Sequence, residues 1–278
     1  GVPYPYEKMT AFQGGAGMEY PMMANDESYP DPRFAQFVVA HEIAHTYMPF
    51  YMGINETRYA FMDEGWATTF EDLINTVDMG ADTAATLFRQ FRVSGWAHNT
   101  SPLQDIPVIT PADALTGVAY GINAYGKPAL AYLGLKDLLG DALFRQALHA
   151  YMARWNGKHP TPWDFFHTFD DVAKRPLDWY WTSWFFSSGR IDLAVKGVAK
   201  TKGGSAVTVT NVGGMVAPFD LVVTRADGKV ERLHQTPAVW ARDQRQATIP
   251  VRGAVKSVQV DGGIWMDSDT TNNAWTRH

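Results

Sequence analysis

Two histidines four residues apart, in the stretch Val38-Val39-Ala40-His41-Glu42-Ile43-Ala44-His45-Thr46-Tyr47, constrain this chain more than anything else in it. On an α-helix, positions i and i+4 lie one above the other, so His41 and His45 can aim both imidazoles at one point. Two neutral imidazoles so placed begin a zinc site, with Zn–N distances of about 2.0–2.1 Å. Glu42 stands beside the first histidine and can work as a general base without being a ligand. A third ligand must come from elsewhere and leave the fourth position open. Glu64, in Met62-Asp63-Glu64-Gly65-Trp66, opens a second helical run and fits that role. The plain alternative is a helix with two core-facing histidines and a solvated glutamate. The apolar periodicity around the pair, and the second glutamate-bearing helix, favour the metal.

Composition narrows the ligand types. The chain has no cysteine, which removes disulfides, thiolate catalysis and cysteine ligands, so a metal must be held by His and carboxylate. Net charge is −5 with no Lys/Arg run, so neither nucleic acid nor an acidic membrane surface is expected as a partner. At 46% hydrophobic and 19% charged residues, the 278-residue chain can bury a core of one large or two ordinary domains. No apolar run reaches the roughly eighteen residues of a membrane span, so no membrane insertion is expected and the chain reads as soluble. Oligomeric state stays open, and so does the compartment, between periplasmic or secreted and cytoplasmic.

In chain order, residues 1–24 read as strand and loop, with a glycine-rich stretch from Ala11 to Met23 that lets a substrate backbone approach closely. Helical periodicity spans Phe34 to Phe50, limited by Pro49, and then residues 60–77, 82–96 and Leu130 to Trp155. The last of these divides near Gly140-Asp141, where Asp141 is expected to cap the second half. Residues 99–111, with three prolines, read as irregular, and 162–171 and 177–186 as aromatic-rich helices. Trp163, Trp179, Trp181 and Trp184 suit helix packing better than a ligand cage. His149, His159 and His167 lack metal spacing. Glu71 lies seven residues beyond Glu64 on the same helix face and is the candidate acceptor for an imidazole N–H, unless it is a plain surface glutamate. After Ser187-Ser188-Gly189 the pattern turns to short alternating runs with turn signals at Gly213-Gly214 and Asp227-Gly228. This predicts an antiparallel β-sandwich ending near Trp265, with a coil tail from Asp267.

These residues resemble the aminopeptidase N family of gluzincin zinc metallopeptidases. In that family the third ligand is a glutamate eighteen residues beyond the second histidine, in an Asn-Glu-Gly-type motif; here residues 46–63 intervene before Glu64-Gly65. A Gly-x-Met-Glu-Asn strand, whose glutamate holds the substrate's α-amino group, is matched by Gly17-Met18-Glu19-Tyr20 within Gly14–Tyr20, preceded by Tyr4-Pro5-Tyr6. A Tyr-x-Lys-Gly-like motif, carrying a transition-state tyrosine, is matched by Tyr125-Gly126-Lys127-Pro128. Tyr120 lacks that context. The chain departs from the family at Tyr20 and Asp63, where the family has Asn.

The resemblance implies an α+β fold: a mainly helical, thermolysin-like catalytic domain over 1–189, then the β-sandwich with its tail over 190–278. It implies Zn²⁺ on His41, His45 and Glu64, with Glu42 as base, Tyr125 on the oxyanion, and Gly17, Met18 and Glu19 binding a peptide substrate. The family's amino-terminal β-domain has no counterpart, so a fragment of a longer protein is expected. An aminopeptidase is the leading expectation. Tyr20 keeps a zinc endopeptidase or another hydrolase open, and a non-catalytic binding module on the same fold is the third alternative.

Overall fold

The computed structural model describes the chain apart from residues 1, 16, 100, 102 and 278. One position of the glycine-rich stretch, two of the irregular 99–111 segment and the last of the tail therefore lie outside the described residues. Three short strands come first: β1 (Thr10–Gln13), β2 (Met18–Tyr20) and β3 (Met23–Asp26). β3 is central, parallel to β1 and antiparallel to β2, so the strand carrying Glu19 lies at an edge.

Helix α1 (Pro32–Ala44) starts where Asp31 accepts a hydrogen bond from the Arg33 N–H and Pro32 occupies the first turn. It ends earlier than its periodicity predicts. Met48 takes φ −126°, ψ 106°, the extended backbone that Pro49 imposes on its predecessor, and residues Thr46–Tyr51 form a wider π-type turn. His45 still donates its backbone N–H to His41 O, so the two imidazoles keep their one-turn spacing.

A 3₁₀ turn at Ala60–Met62 leads into α2 (Glu64–Asp78). Next come α3 (Ala81–Phe88), a π turn at Arg89–Val93 and α4 (Ser94–Ala97), which together make the helix expected over 82–96. A short α5 (Gly117–Gly121) and another π turn, Ile122–Gly126, precede α6 (Lys127–Leu139). Then follow α7 (Asp141–Trp155), α8 (Pro162–Ala173) and α9 (Asp178–Phe185). Asp141 does not cap α7: Gly140 holds that position, and the carboxylate turns instead to Lys136.

Beyond α9 the chain is β: β4 (Leu193–Thr201), β5 (Gly204–Asn211), β6 (Phe219–Arg225), β7 (Val230–Gln235), β8 (Gln246–Arg252), β9 (Val255–Asp261) and β10 (Ala274–Thr276). They form two antiparallel sheets, β4-β5-β8 and β10-β9-β6-β7. Alternate residues of β5, from Ser205 to Asn211, point inward, as the period-2 pattern predicts. The tail is not loose coil. Ala274–Thr276 add β10 to the edge of β9, a strand too short to show an alternation in sequence, and Trp275 packs on the core.

The helical core centres on Trp66, stacked on Tyr132 with centroids 4.1 Å apart and planes at 10°. Phe165 meets both rings edge-on. Trp181 and Trp184 belong to this packing, whereas Trp163 is half exposed and stacks on Phe186. One apolar cluster runs unbroken from these helices into both sheets. Among the described residues, no helix is long and apolar enough to cross a membrane.

Candidate metal centre

α1 and α2 pack side by side and bring three side chains together. His41 Nε2 lies 3.0 Å from Glu64 Oε2, His45 Nε2 lies 3.3 Å from the same oxygen, and the two ring nitrogens are 3.1 Å apart. Ligands of a tetrahedral zinc at about 2.0–2.1 Å stand about 3.3 Å from one another, so this triangle is close to the required size. The partners of the outer ring nitrogens suit such a site. His45 Nδ1 faces Asp63 Oδ1 at 2.7 Å and Met48 O at 3.2 Å; His41 Nδ1 faces Glu71 Oε2 at 3.2 Å. In the tautomer that puts both protons on Nδ1, each Nε2 lone pair faces the other and a carboxylate, an arrangement that a cation would resolve. Charge points the same way. Asp63, Glu64 and Glu71 are all buried, and among the described residues only Arg92 brings a Lys or Arg charge to any of them. Buried carboxylates in excess of cations are what a divalent ion balances. The donor set therefore fits zinc.

Burial pushes Glu64 upward, but the two imidazoles beside it outweigh that and hold the carboxyl far below the ordinary range. Glu42 stands next to His41 on α1. One of its oxygens, Oε2, is enclosed and has no hydrogen-bond partner. Its pKa is raised by burial, with His41 and His45 pulling the other way. Tyr125, from the turn before α6, donates to Glu64 Oε1 at 2.7 Å, and its ring stacks over His41 at 6.1 Å. Burial and the Glu64 charge keep this phenol protonated. On the other side, a Glu19 oxygen lies within 4.8 Å of both His45 and Asp63 ligand atoms. Burial raises Glu19 too, partly offset by His45. Met18 and Tyr20 flank it on the edge strand and Gly17 just precedes that strand, all three exposed.

Two partners escaped the sequence reading. Asp63 was visible only as a departure from a motif, yet it is the carboxylate bonded to His45. Arg92 belongs to no motif. Its Nε donates to Glu71 Oε1 at 3.1 Å, a second nitrogen pairs with Glu71 Oε2, and the guanidinium lies 5.5 Å from the Tyr125 ring. Glu71 is thus no surface residue. A Cβ on Gly126 would stand 1.8 Å from Arg92 O, so the turn bearing Tyr125 can pass that backbone only as glycine.

Helices α1 and α2 thus set two histidines and a glutamate around one point, as a metal site requires. The sequence profile of the peptidase family M1 domain matches residues 18–184, and the chain belongs to that family. Among solved structures, it is similar to the crystal structure of Legionella pneumophila aminopeptidase A in complex with aspartic acid, with TM-score 0.64 and 16% identity over 86% of this chain. That likeness is one of fold, and the chain spans 28% of the length of that structure. No curated protein matches the chain.

Proposed function

We propose that this chain is a zinc-dependent aminopeptidase centre, with His41, His45 and Glu64 holding the ion. The observation that carries the reading is the 3.0–3.3 Å triangle of ring nitrogens and carboxylate, set beside an enclosed Glu42 oxygen with no partner. Bound there, zinc supplies Lewis acidity toward a peptide carbonyl and toward water. Glu42 takes the proton of the attacking water and hands it to the departing amine; its raised pKa suits both transfers. Tyr125, kept protonated, donates to the oxygen on which negative charge develops. Asp63 and Glu71 hold the two imidazoles in the tautomer that leaves Nε2 free. Glu19, on the edge strand beside His45, pairs with the α-ammonium of the peptide, which confines cleavage to the first bond. Gly17 and Met18 lie against the same substrate.

Glu42→Gln tests the centre. It is expected to keep stoichiometric metal by atomic absorption while kcat falls about 10²–10⁴-fold. Turnover that survives the change would remove Glu42 as the base. Comparing aminoacyl arylamides with amino-blocked peptides tests Glu19: cleavage of the blocked peptides would favour an endopeptidase.

A further inference from the structure

Lys127 belongs to the motif Tyr125-Gly126-Lys127, yet the partners of its side chain lie outside the metal centre. It opens α6 wholly buried, the one lysine so placed among the described residues. Its ammonium donates to Asp105 Oδ1 at 2.8 Å, reaches Ile106 O at 3.5 Å and stands 5.5 Å from the centre of the Trp96 ring. The other oxygen, Asp105 Oδ2, accepts the Gly189 N–H at 2.7 Å. A lysine is among the costliest side chains to bury, and an apolar residue of similar volume would fill the same space more cheaply. What the apolar residue cannot supply is a directed bond.

That bond fastens the segment that bears Tyr125. Asn123 Nδ2 donates to Pro107 O at 3.2 Å, while Lys127 grips Asp105. The π turn Ile122–Gly126 is thus held at both ends to the single stretch 105–107. The stretch is itself fixed, by Gly189 at Asp105 and by the Ile109 N–H, which donates to Phe185 O at 2.9 Å. Between the two attachments stands Tyr125, with its hydroxyl 2.7 Å from Glu64 Oε1. A phenol displaced by about 1 Å loses most of its effect on a reacting oxygen. Resting on the zinc-peptidase reading, we propose that Lys127, locked to Asp105, is a positioning residue that sets the Tyr125 phenol at the metal centre.

The test uses the full chain, unmodified and as Lys127→Met/Asp105→Asn, which removes both charges together and keeps an oxygen for Gly189. Asp105→Asn alone is a second, milder variant, and the thermal midpoint checks folding of each. With zinc added, hydrolysis of an alanyl arylamide is followed with and without Tyr125→Phe. The neutral pair is expected to lower kcat about tenfold with KM nearly unchanged, and Asp105→Asn to do the same to a smaller extent. In the Tyr125→Phe background the same changes should cost less than about twofold, because the phenol they misplace is already absent. In parallel, tyrosines are labelled with ¹³C at Cζ in the metal-free chain. The Tyr125 resonance, assigned by its loss in Tyr125→Phe, should move further in the neutral pair than that of any other tyrosine.

Full activity in the folded variants, or an equal loss with and without the Tyr125 hydroxyl, overturns the role of Lys127 and leaves the peptidase standing. If the unmodified chain cleaves nothing, the peptidase reading falls. The resonance then decides alone whether Lys127 places the phenol, and a Tyr125 signal that stays where it was would end the proposal.

Discussion

Arg92 shows how far the centre extends past the atoms that would touch an ion. By pairing with both oxygens of a fully buried carboxylate it removes the cost of an unpaired charge at Glu71, and so keeps that oxygen available to His41. Arg92→Met should weaken zinc binding about 10–100-fold, measured by competition with a chelating dye, with the far-ultraviolet spectrum unchanged. Arg92→Lys should recover only part of the loss, because a point charge cannot grip both oxygens. Equal affinity in all three chains would reduce Arg92 to packing. His41, His45 and Glu64 could be picked out in the sequence because helix geometry turns a spacing of four into a shared face, and a glutamate opening the next helix is a natural third donor. Arg92 could not. It lies 21 residues from Glu71 and 51 from His41, and nothing local ties it to either.

At the scale of elements, wider π turns fall beside the centre after His45, at Arg92 and at Tyr125, and the first of them is kinked at Met48. Periodicity located the helices on either side, since a 3.6-residue pattern tolerates one loose turn, but it hid the turns themselves. Only at Pro49 did the sequence name the cause. Close approach is the other element-scale device. α2 meets α6 at Gly65, where a Cβ would stand 3.0 Å from Pro128, and the Tyr125 turn meets Arg92 at Gly126. Gly126→Ala is expected to cost about 1–3 kcal/mol, read as a lower thermal midpoint. It should also reduce kcat more than it raises KM, since it pushes Tyr125 off Glu64. An unchanged midpoint would mean the two backbones can separate freely.

Across the whole molecule, helices and sheets are also joined by charge. His234 on β7 donates toward Asp220 on β6 at 2.7 Å and reaches Asp137 on α6 at 3.0 Å, while Arg232 pairs with Asp220 and Asp261. Burial lowers the His234 pKa, but Asp220 and Asp137 outweigh that and raise it above the usual value. A raised histidine stabilises the fold fully below its unfolded pKa, near 6.5, and the contribution disappears as pH climbs through the raised value. The thermal midpoint should therefore decline from pH 6 toward pH 9 by about 1–3 °C more in the unmodified chain than in His234→Gln. Parallel curves would show that the joint is not electrostatic. The sequence pattern revealed that strands follow helices; it could not reveal this joint, because Asp137 and His234 are 97 residues apart.

The seam between the helices and the sheets has a further consequence. Trp184 sends its indole N–H to Val216 O, Ser183 accepts from Val216 N, and Trp240 closes the far side on Ala217 O. A chain cut after Phe186 would leave the Trp184 N–H, the Ser183 hydroxyl and the aromatic floor of α9 without these partners. The β half is thus the keel of the helical half, and a truncated product should be sought in inclusion bodies rather than in the supernatant.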